Sequence, residues 1–175
     1  LLLLSPYRLT EGLKSLLAKA PDPRVINVVS GGMYSEKLDV DTLQMPDNAE
    51  YSGSRAYAKQ KRALMVLTQT WAKKWAKAGI AVNAMHPGWA DTPGVREALP
   101  QFRRLTKSVL RSAEEGADTI VWLAVATEVG NARGELFLDR QIRPAHLVSS
   151  TRDTAAERDK LLEFLDGIRL ASCQL

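Results

Sequence analysis

The sequence predicts an α/β fold in which helices cover both faces of a parallel sheet. Residues 24–29 and 80–85 are short, largely apolar runs, which are typical of strands buried on both faces. Between them, the segment from Tyr57 to Trp75 has the apolar spacing of one long amphipathic helix. Strand, helix and strand in this order form a β-α-β unit, so both strands should end at one edge of the sheet, where such folds bind ligands.

Composition indicates a single domain with a substantial core. The chain has 175 residues, of which 45% are hydrophobic and 25% charged, as in ordinary globular proteins. The net charge of +4 is small, and we assign the basic residues of the long helix and its end to solvent-facing surfaces. These residues are Lys59, Lys61, Arg62, Lys73, Lys74 and Lys77. The charge pattern therefore does not indicate nucleic-acid binding.

One cysteine and two histidines limit the covalent and metal chemistry. Cys173 excludes an internal disulfide, and with His86 and His146 it does not make a metal-ligand set, so we expect no metal site. A single cysteine fits the reducing cytoplasm. The chain opens with four leucines and no initiating methionine, and this run is too short for a membrane span or a signal peptide. We therefore expect the chain to be the C-terminal part of a longer protein, and membrane association is not indicated.

The first half of the chain predicts a helix, a strand and a long connection. Leucine spacing predicts the helix over residues 9–20, and the strand at 24–29 ends at Ser30, Gly31 and Gly32. Ser30 would then lie at the ligand-binding edge, although a plain turn serine is an equally good interpretation. Residues 33–55 lack sustained periodicity and predict a connection with one short extended piece at 38–43.

The second half repeats the alternation of helix and strand. The long helix should end near Gly79, a glycine C-cap, before the strand at 80–85. Ser112 and Glu115 form a capping box that opens a further helix. The helix that this capping box opens should run through Ala126. The other predicted elements are a loop over 86–94, one or two amphipathic helices over 95–111, a strand over 134–139 and a helix over 153–170.

Tyr57 and Lys61 place a phenol and an ammonium on one face of the long helix. Residues four apart are neighbours on a helix. A free phenol has a pKa of about 10, so proton exchange near neutrality needs the phenolate stabilised by about 4 kcal/mol. A lysine charge about 4–5 Å away supplies roughly 3–4 kcal/mol at an effective dielectric of about 20. The pattern has low information by itself, and a surface tyrosine packed on a lysine stem is the alternative.

Three motifs in register resemble the short-chain dehydrogenase/reductase family. They are a strand ending at Ser30-Gly31-Gly32, a helix bearing Tyr57-x-x-x-Lys61, and a strand followed by Pro87-Gly88-x-x-x-Thr92. The resemblance covers about residues 1–139, and H-P-G-W-A-D-T-P-G-V-R with V-S-G-G-M resembles the branch that contains family member 12. Retinol-dehydrogenase-like members are more distant.

The resemblance implies a role for each of these residues. Tyr57 would exchange a proton with the substrate oxygen, Lys61 would stabilise the phenolate and hydrogen-bond the nicotinamide ribose, and Ser30 would donate a hydrogen bond to the substrate oxygen. A cofactor, NADP or NAD, would lie beside the loop after the second strand. The residues implied to bind it are Tyr57, Lys61, Pro87, Gly88, Trp89, Ala90 and Thr92, with Gly88 allowing close approach of the backbone.

The resemblance also implies what the chain lacks. Residues 1–150 would be the catalytic half of a Rossmann-like, doubly wound parallel sheet with flanking helices, and 151–175 a C-terminal helical tail. The N-terminal nucleotide-binding strands would be missing, because no G-x-G-x-x-G turn occurs in the sequence. For His86 we favour a role in orienting the Pro-Gly loop over a catalytic one, and for Asp91 a capping role over that of a base.

The implied function is an NAD(P)-dependent oxidoreductase acting on an alcohol or carbonyl through Ser30, Tyr57 and Lys61. The substrate would be a small molecule, by kinship a lipid-like one. A non-catalytic fragment, or a dimerisation or interaction protein derived from such an enzyme, is the alternative, and epimerase-like use of the Tyr/Lys pair is a weaker one. A homodimer through the Tyr57–Trp75 helix is part of the expectation, with Trp71 and Trp75 in the core or at the subunit interface.

Overall fold

The computed structural model describes residues 1–44, 51–91, 94, 104, 110–129 and 131–171. Its elements are α1 (Leu4–Leu17), β1 (Arg24–Val28), α2 (Gly53–Lys74), β2 (Ala81–Met85), α3 (Ala113–Val125), β3 (Leu136–Leu138), β4 (Gln141–Arg143) and α4 (Ala155–Ala171). Short 3-10 turns lie at Gly31–Ser35, Val40–Thr42, Ala76–Ala78 and Ser149–Thr151. The predicted helices over 95–111 fall mostly outside the described residues.

The four strands form one sheet in the order β1-β2-β3-β4. The first three are parallel, and β4 returns antiparallel to β3. Helices α1, α2 and α4 pack on one face of the sheet, and α3 packs with Met85 and Phe137 on the other. The predicted α/β class and the β-α-β unit are therefore confirmed. In the part of the chain that the structure describes, no strand precedes Arg24.

Element boundaries differ from the predicted ones where a local signal was misjudged. Helix α1 begins at Leu4 instead of residue 9, because Leu3 and Tyr7 in this stretch are buried in the core. The extended piece expected at 38–43 is wrong, since Val40–Thr42 is a 3-10 turn. Helix α2 begins at Gly53, capped by the Ser52 hydroxyl, so Tyr57 lies in its second turn and not its first.

Two basic residues of α2 are buried, which corrects their assignment to solvent. Arg62 is 0% exposed and Lys59 is 7% exposed. The connection after β1 folds over the first half of α2, so backbone carbonyls and a hydroxyl replace water around these cations. Lys59 Nζ donates to Thr42 Oγ1 at 2.7 Å. Arg62 donates to three carbonyl oxygens, those of Met33 at 3.1 Å, Glu36 at 3.0 Å and Ala145 at 2.8 Å.

Trp71 and Trp75 lie in the core of the chain. Their rings stack with centroids 5.0 Å apart, and Tyr7 of α1 stacks on Trp71 at 5.9 Å. Trp71 Nε1 donates to Glu11 Oε1 at 2.7 Å, which satisfies the buried indole. Of the two expected places, core and subunit interface, these side chains occupy the first. They join α2 to α1.

The C-terminal part contains the predicted helix, strand and helix, together with strand β4, which was not predicted. Helix α3 opens with a complete capping box, in which Ser112 and Glu115 each accept the other's backbone N–H. Helix α4 begins after Thr154, whose hydroxyl accepts from Glu157 N at 3.2 Å. Within the described ranges, no helix has both the length and the apolar character needed to cross a bilayer. The same residues contain no cluster of three or more His, Cys, Asp or Glu that suits a metal ion.

Candidate active site

The carboxyl ends of β1 and β2 lie side by side and define the site. Val28 pairs with Met85 in the parallel ladder, and Val29 N donates to the Met85 carbonyl at 2.8 Å. Ser30 lies two residues after the end of the first strand, and His86 directly follows the second. The expectation that both motif-bearing loops open onto one edge is therefore met by the sheet register.

Tyr57 and Lys61 stand over this edge. Lys61 Nζ lies 5.6 Å from the centroid of the Tyr57 ring and donates to the Val28 carbonyl at 2.7 Å. The last carbonyl of β1 thus fixes the ammonium beside the phenol. The Tyr57 side chain is 40% exposed, which leaves it accessible to a substrate.

The Lys61 ammonium is partly desolvated and has donors to spare. Burial lowers its pKa, because the charged form loses water contacts. Val28 is its hydrogen-bond partner among the described residues, and an ammonium carries three N–H donors. Two donors therefore remain for an acceptor such as a phenolate or a ribose hydroxyl.

Ser30 begins the short 3-10 turn that packs against α2. Its hydroxyl accepts from Gly32 N at 3.4 Å. A Cβ added at Gly32 would lie 3.7 Å from the Cβ of Ala58, which follows Tyr57 in the chain. The turn therefore packs against α2 next to Tyr57, and Ser30 at its start is half-buried. A hydrogen bond from Ser30 to a substrate stays a prediction.

His86 stabilises the loop after β2 through a hydrogen bond to the loop backbone. Its Nδ1 accepts a hydrogen bond from Gly88 N at 3.2 Å, as expected of a residue that orients the Pro-Gly turn. Gly88 has φ of 72°, a left-handed conformation that favours glycine. Trp89 is half exposed and Ala90 is buried. Thr92, the remaining predicted cofactor contact, lies outside the described residues, and so does any helix that Asp91 would cap.

Arg111 is a component of the site that the sequence did not reveal. Its guanidinium donates to both carboxylate oxygens of Asp139, at 2.6 and 2.8 Å, and to the Pro87 carbonyl at 3.3 Å. This hydrogen bonding lowers the pKa of Asp139 and raises that of Arg111. A Cβ at Gly88 would come within 2.8 Å of the guanidinium. The Arg111 guanidinium therefore occupies the space beside the Cα of Gly88, and contact of the loop backbone with a nicotinamide stays a prediction.

The turn that carries Asp139 is a two-residue connection between β3 and β4. Asp139 and Arg140 have φ of 54° and 58°, values uncommon for residues other than glycine. Arg140 pairs with Asp118 of α3, with Nε to Oδ2 at 2.8 Å. One end of the turn is thus tied to Arg111 and the other to α3. The sequence predicts that β3 ends at Asp139, and so places the Asp139 carboxylate at this edge of the sheet. It does not predict that Arg111 lies there.

The residues present suit the nicotinamide and ribose part of a dinucleotide. Lys61 offers two donors, and the backbone from Pro87 to Ala90 turns across the end of β2 beside the exposed face of Trp89. The phosphate-binding glycine turn is not in the sequence. The fit is therefore to one half of such a cofactor.

Comparison with known proteins identifies the family. Residues 45–139, more than half of the chain, match a family model described as enoyl-(acyl carrier protein) reductase. The chain is 43% identical over 167 residues to human dehydrogenase/reductase SDR family member 12, covering 94% of this chain and 52% of that protein. The chain belongs to the short-chain dehydrogenase/reductase family. This confirms the resemblance found in the sequence.

Other members of the short-chain dehydrogenase/reductase family match less closely. Human retinol dehydrogenase 12 is 33% identical over 135 residues, covering 76% of this chain and 41% of that protein. A structure described as an NAD(P)-dependent gluconate 5-dehydrogenase from Beutenbergia cavernae with bound NADP superposes with a TM-score of 0.57. It is 18% identical and covers 75% of this chain and 50% of that one, which supports the fold. The chain spans about half the length of the curated relatives it matches.

The hydrogen bond between His86 and Gly88 should make the stability of this family member depend on pH. Burial, and then repulsion from Arg111, lower the pKa of His86 below its ordinary 6.5. Because the unfolded state then binds more protons, the free energy of unfolding should fall as pH drops below about 6.5. We expect urea denaturation between pH 7 and 5 to show a smaller fall in His86→Gln, which keeps an acceptor but does not titrate.

His146 provides the control, because burial lowers its pKa too. His146→Gln removes that contribution and leaves the Pro-Gly turn intact. If wild type and His86→Gln lose equal stability between pH 7 and 5, the neutral imidazole of His86 does not hold the loop.

Proposed function

We propose that the chain supplies the catalytic half of a nicotinamide-dependent oxidoreductase that interconverts an alcohol and a carbonyl compound. The observation that carries this proposal is the Lys61 ammonium fixed beside Tyr57 by the last carbonyl of β1, at the edge where the Pro-Gly loop turns. Membership of the short-chain dehydrogenase/reductase family supports it.

In this proposal Tyr57 moves the proton. The phenol hydroxyl donates to the substrate oxygen during reduction and receives the proton back during oxidation. Lys61 stabilises the phenolate form, because the Val28 carbonyl holds its ammonium beside the phenol ring. Ser30 donates a second hydrogen bond to the substrate oxygen and stabilises negative charge as it develops there.

The same residues bind and orient the cofactor. NADP or NAD supplies or accepts the hydride at the substrate carbon when it is bound. The two free donors of Lys61 bind the ribose, and the backbone of the loop lines the nicotinamide. The loop residues in this role are Pro87, Gly88, Trp89, Ala90 and Thr92. Trp89, half exposed, gives the site an apolar surface that suits a lipid-like alcohol or carbonyl substrate.

A non-catalytic interaction protein is the second candidate, because the chain spans only about half the length of its curated relatives. A homodimer through α2 is compatible with either candidate, yet no residue of α2 from Ala58 to Ala72 is exposed. Contacts between two copies would therefore involve the ends of the helix.

Placement in the cytoplasm is part of the main proposal, since a single cysteine fits a reducing compartment.

Dinucleotide binding separates the two candidates. The chain of residues 1–175 alone should give little saturable enhancement of NADPH or NADH fluorescence, because it lacks a phosphate-binding glycine turn. The same chain preceded by the N-terminal half of human family member 12 should give saturable enhancement and should oxidise or reduce members of an alcohol and carbonyl panel. Stoichiometric binding by the chain alone would contradict the first expectation. An extended protein that binds NADPH but turns over no substrate would favour the non-catalytic candidate.

A further inference from the structure

Arg111 contacts the Pro-Gly loop from three directions. The side chain donates to the Pro87 carbonyl at 3.3 Å, and its guanidinium lies against the Cα side of Gly88, where a Cβ would approach within 2.8 Å. Its backbone forms a bridge with Ala90, in which Arg111 N donates to the Trp89 carbonyl at 2.9 Å and Asp91 N donates to the Arg111 carbonyl at 2.8 Å. Arg111 thus contacts the turn from Pro87 to Asp91 through both its side chain and its backbone.

Asp139 fixes the guanidinium in turn. Both carboxylate oxygens accept from Arg111, at 2.6 and 2.8 Å, and such bidentate pairs have a defined orientation as well as a favourable energy. Asp139 directly follows β3, which pairs with β2 through Met85 and Phe137. The carboxylate is therefore anchored to the same sheet that carries the loop. Arg111 connects the turn after β2 to the end of β3.

We propose that Arg111 is a positioning residue, which fixes the position of the Pro87–Gly88 backbone relative to the end of β2. By doing so, it would align a bound nicotinamide with Tyr57. This inference rests on the proposed function for its catalytic consequence. Within the loop, His86 Nδ1 accepts from Gly88 N, and the Pro87 carbonyl accepts from the Arg111 guanidinium. Without the guanidinium, the Pro87 carbonyl and the open side of Gly88 would lose the group that fixes them among the described residues.

Hydrogen exchange tests the inference without any cofactor. In Arg111→Gln, the amides of Gly88 and Asp91 should exchange about tenfold faster or more. Their own acceptors, His86 Nδ1 and the Arg111 carbonyl, remain, but opening of the loop no longer breaks the hydrogen bonds of the charged guanidinium. Arg111→Lys keeps the charge but not the planar fork, so it should restore protection only in part. Exchange is measured by NMR or mass spectrometry on the chain of residues 1–175.

Arg140→Gln is the matched control. Arg140 also makes a bidentate pair with an aspartate at the same turn, but it binds Asp118 of α3 and does not contact Pro87 or Gly88. In Arg140→Gln, the amide exchange rates of Gly88 and Asp91 should stay within about twofold of wild type after correction for global stability. Unchanged protection in Arg111→Gln, or an equal loss in Arg140→Gln, would overturn the inference.

The catalytic consequence has its own measurement. In the extended, cofactor-binding protein, Arg111→Gln should lower kcat by about tenfold or more while the dissociation constant of NADPH changes by less than about threefold, because misalignment reduces near-attack geometry more than binding. If the exchange result holds and Tyr57→Phe proves fully active, Arg111 positions the loop but the proposed function is wrong. If Tyr57→Phe is inactive and exchange is unchanged, the function stands and the role of Arg111 is wrong.

Discussion

Tyr57→Phe is expected to reduce turnover by about 10²–10⁴-fold in the extended protein, the range typical for loss of a general acid or base. The phenylalanine ring fills the same space and removes only the hydroxyl that exchanges the proton. NADPH binding should remain close to wild type, because Lys61 is fixed by the Val28 carbonyl and not by the phenol oxygen. The measurements are kcat on an alcohol or carbonyl substrate and fluorescence titration with NADPH.

Tyr51→Phe is the matched control for this experiment. Tyr51 is also an exposed tyrosine and lies just before α2, but it is not part of the proposed machinery. It should retain full turnover. Near-normal kcat in Tyr57→Phe would remove Tyr57 from the chemistry, and with it the central residue of the proposed function.

Arg62→Leu should lower the free energy of unfolding by about 3 kcal/mol or more. Leucine retains part of the buried volume but cannot donate to the carbonyl oxygens that Arg62 binds. The Met33 carbonyl keeps a hydrogen bond from Glu36 N at 3.3 Å, whereas those of Glu36 and Ala145 lose this donor, and each unsatisfied buried group costs about 1–3 kcal/mol. The loss should be largest in the connection after β1, since two of the three carbonyls lie there. Urea denaturation gives the free energy, and hydrogen exchange locates the weakened segment.

Lys73→Leu is the comparison on the same helix. Lys73 is exposed near the end of α2, so its replacement should change stability by no more than about 0.5 kcal/mol. Arg62→Lys should fall between the two, because one ammonium cannot reach three carbonyls in a fork. Equal stabilities of Arg62→Leu and Lys73→Leu would show that the buried guanidinium is not needed to hold the connection.

The elements that depend on local patterns were predicted well from the sequence. Strand β1 and strand β2 were set by apolar runs, and helix α3 by the capping box of Ser112 and Glu115. The position of the carboxyl ends of β1 and β2 at one edge of the sheet followed from topology, since parallel strands joined by a helix end on the same side. For the same reason Ser30, Tyr57 and Pro87 could be expected near one another.

The features that the sequence could not predict depend on contacts between distant segments. Arg62 was assigned to solvent because it lies in a lysine-rich stretch, yet one of its acceptors, Ala145, is 83 residues away. Arg111 and Asp139 are 28 residues apart, and periodicity alone contains no signal for their pairing. Helical spacing identified Trp71 as inward-facing but did not distinguish the core from a subunit interface. Only the packing of Tyr7 decided that question.

The turn between β3 and β4 has a strained backbone, and the contacts of its two side chains offset that strain. An Asn-Gly pair would adopt its left-handed conformation with less strain, whereas Asp139 and Arg140 each lose roughly 1 kcal/mol or more. Glycine there would relax the hairpin but cut both tethers, to Arg111 and to Asp118. Glycine substitutions chosen to make this hairpin more thermostable would therefore remove the contact through which, in our proposal, Arg111 positions the neighbouring loop.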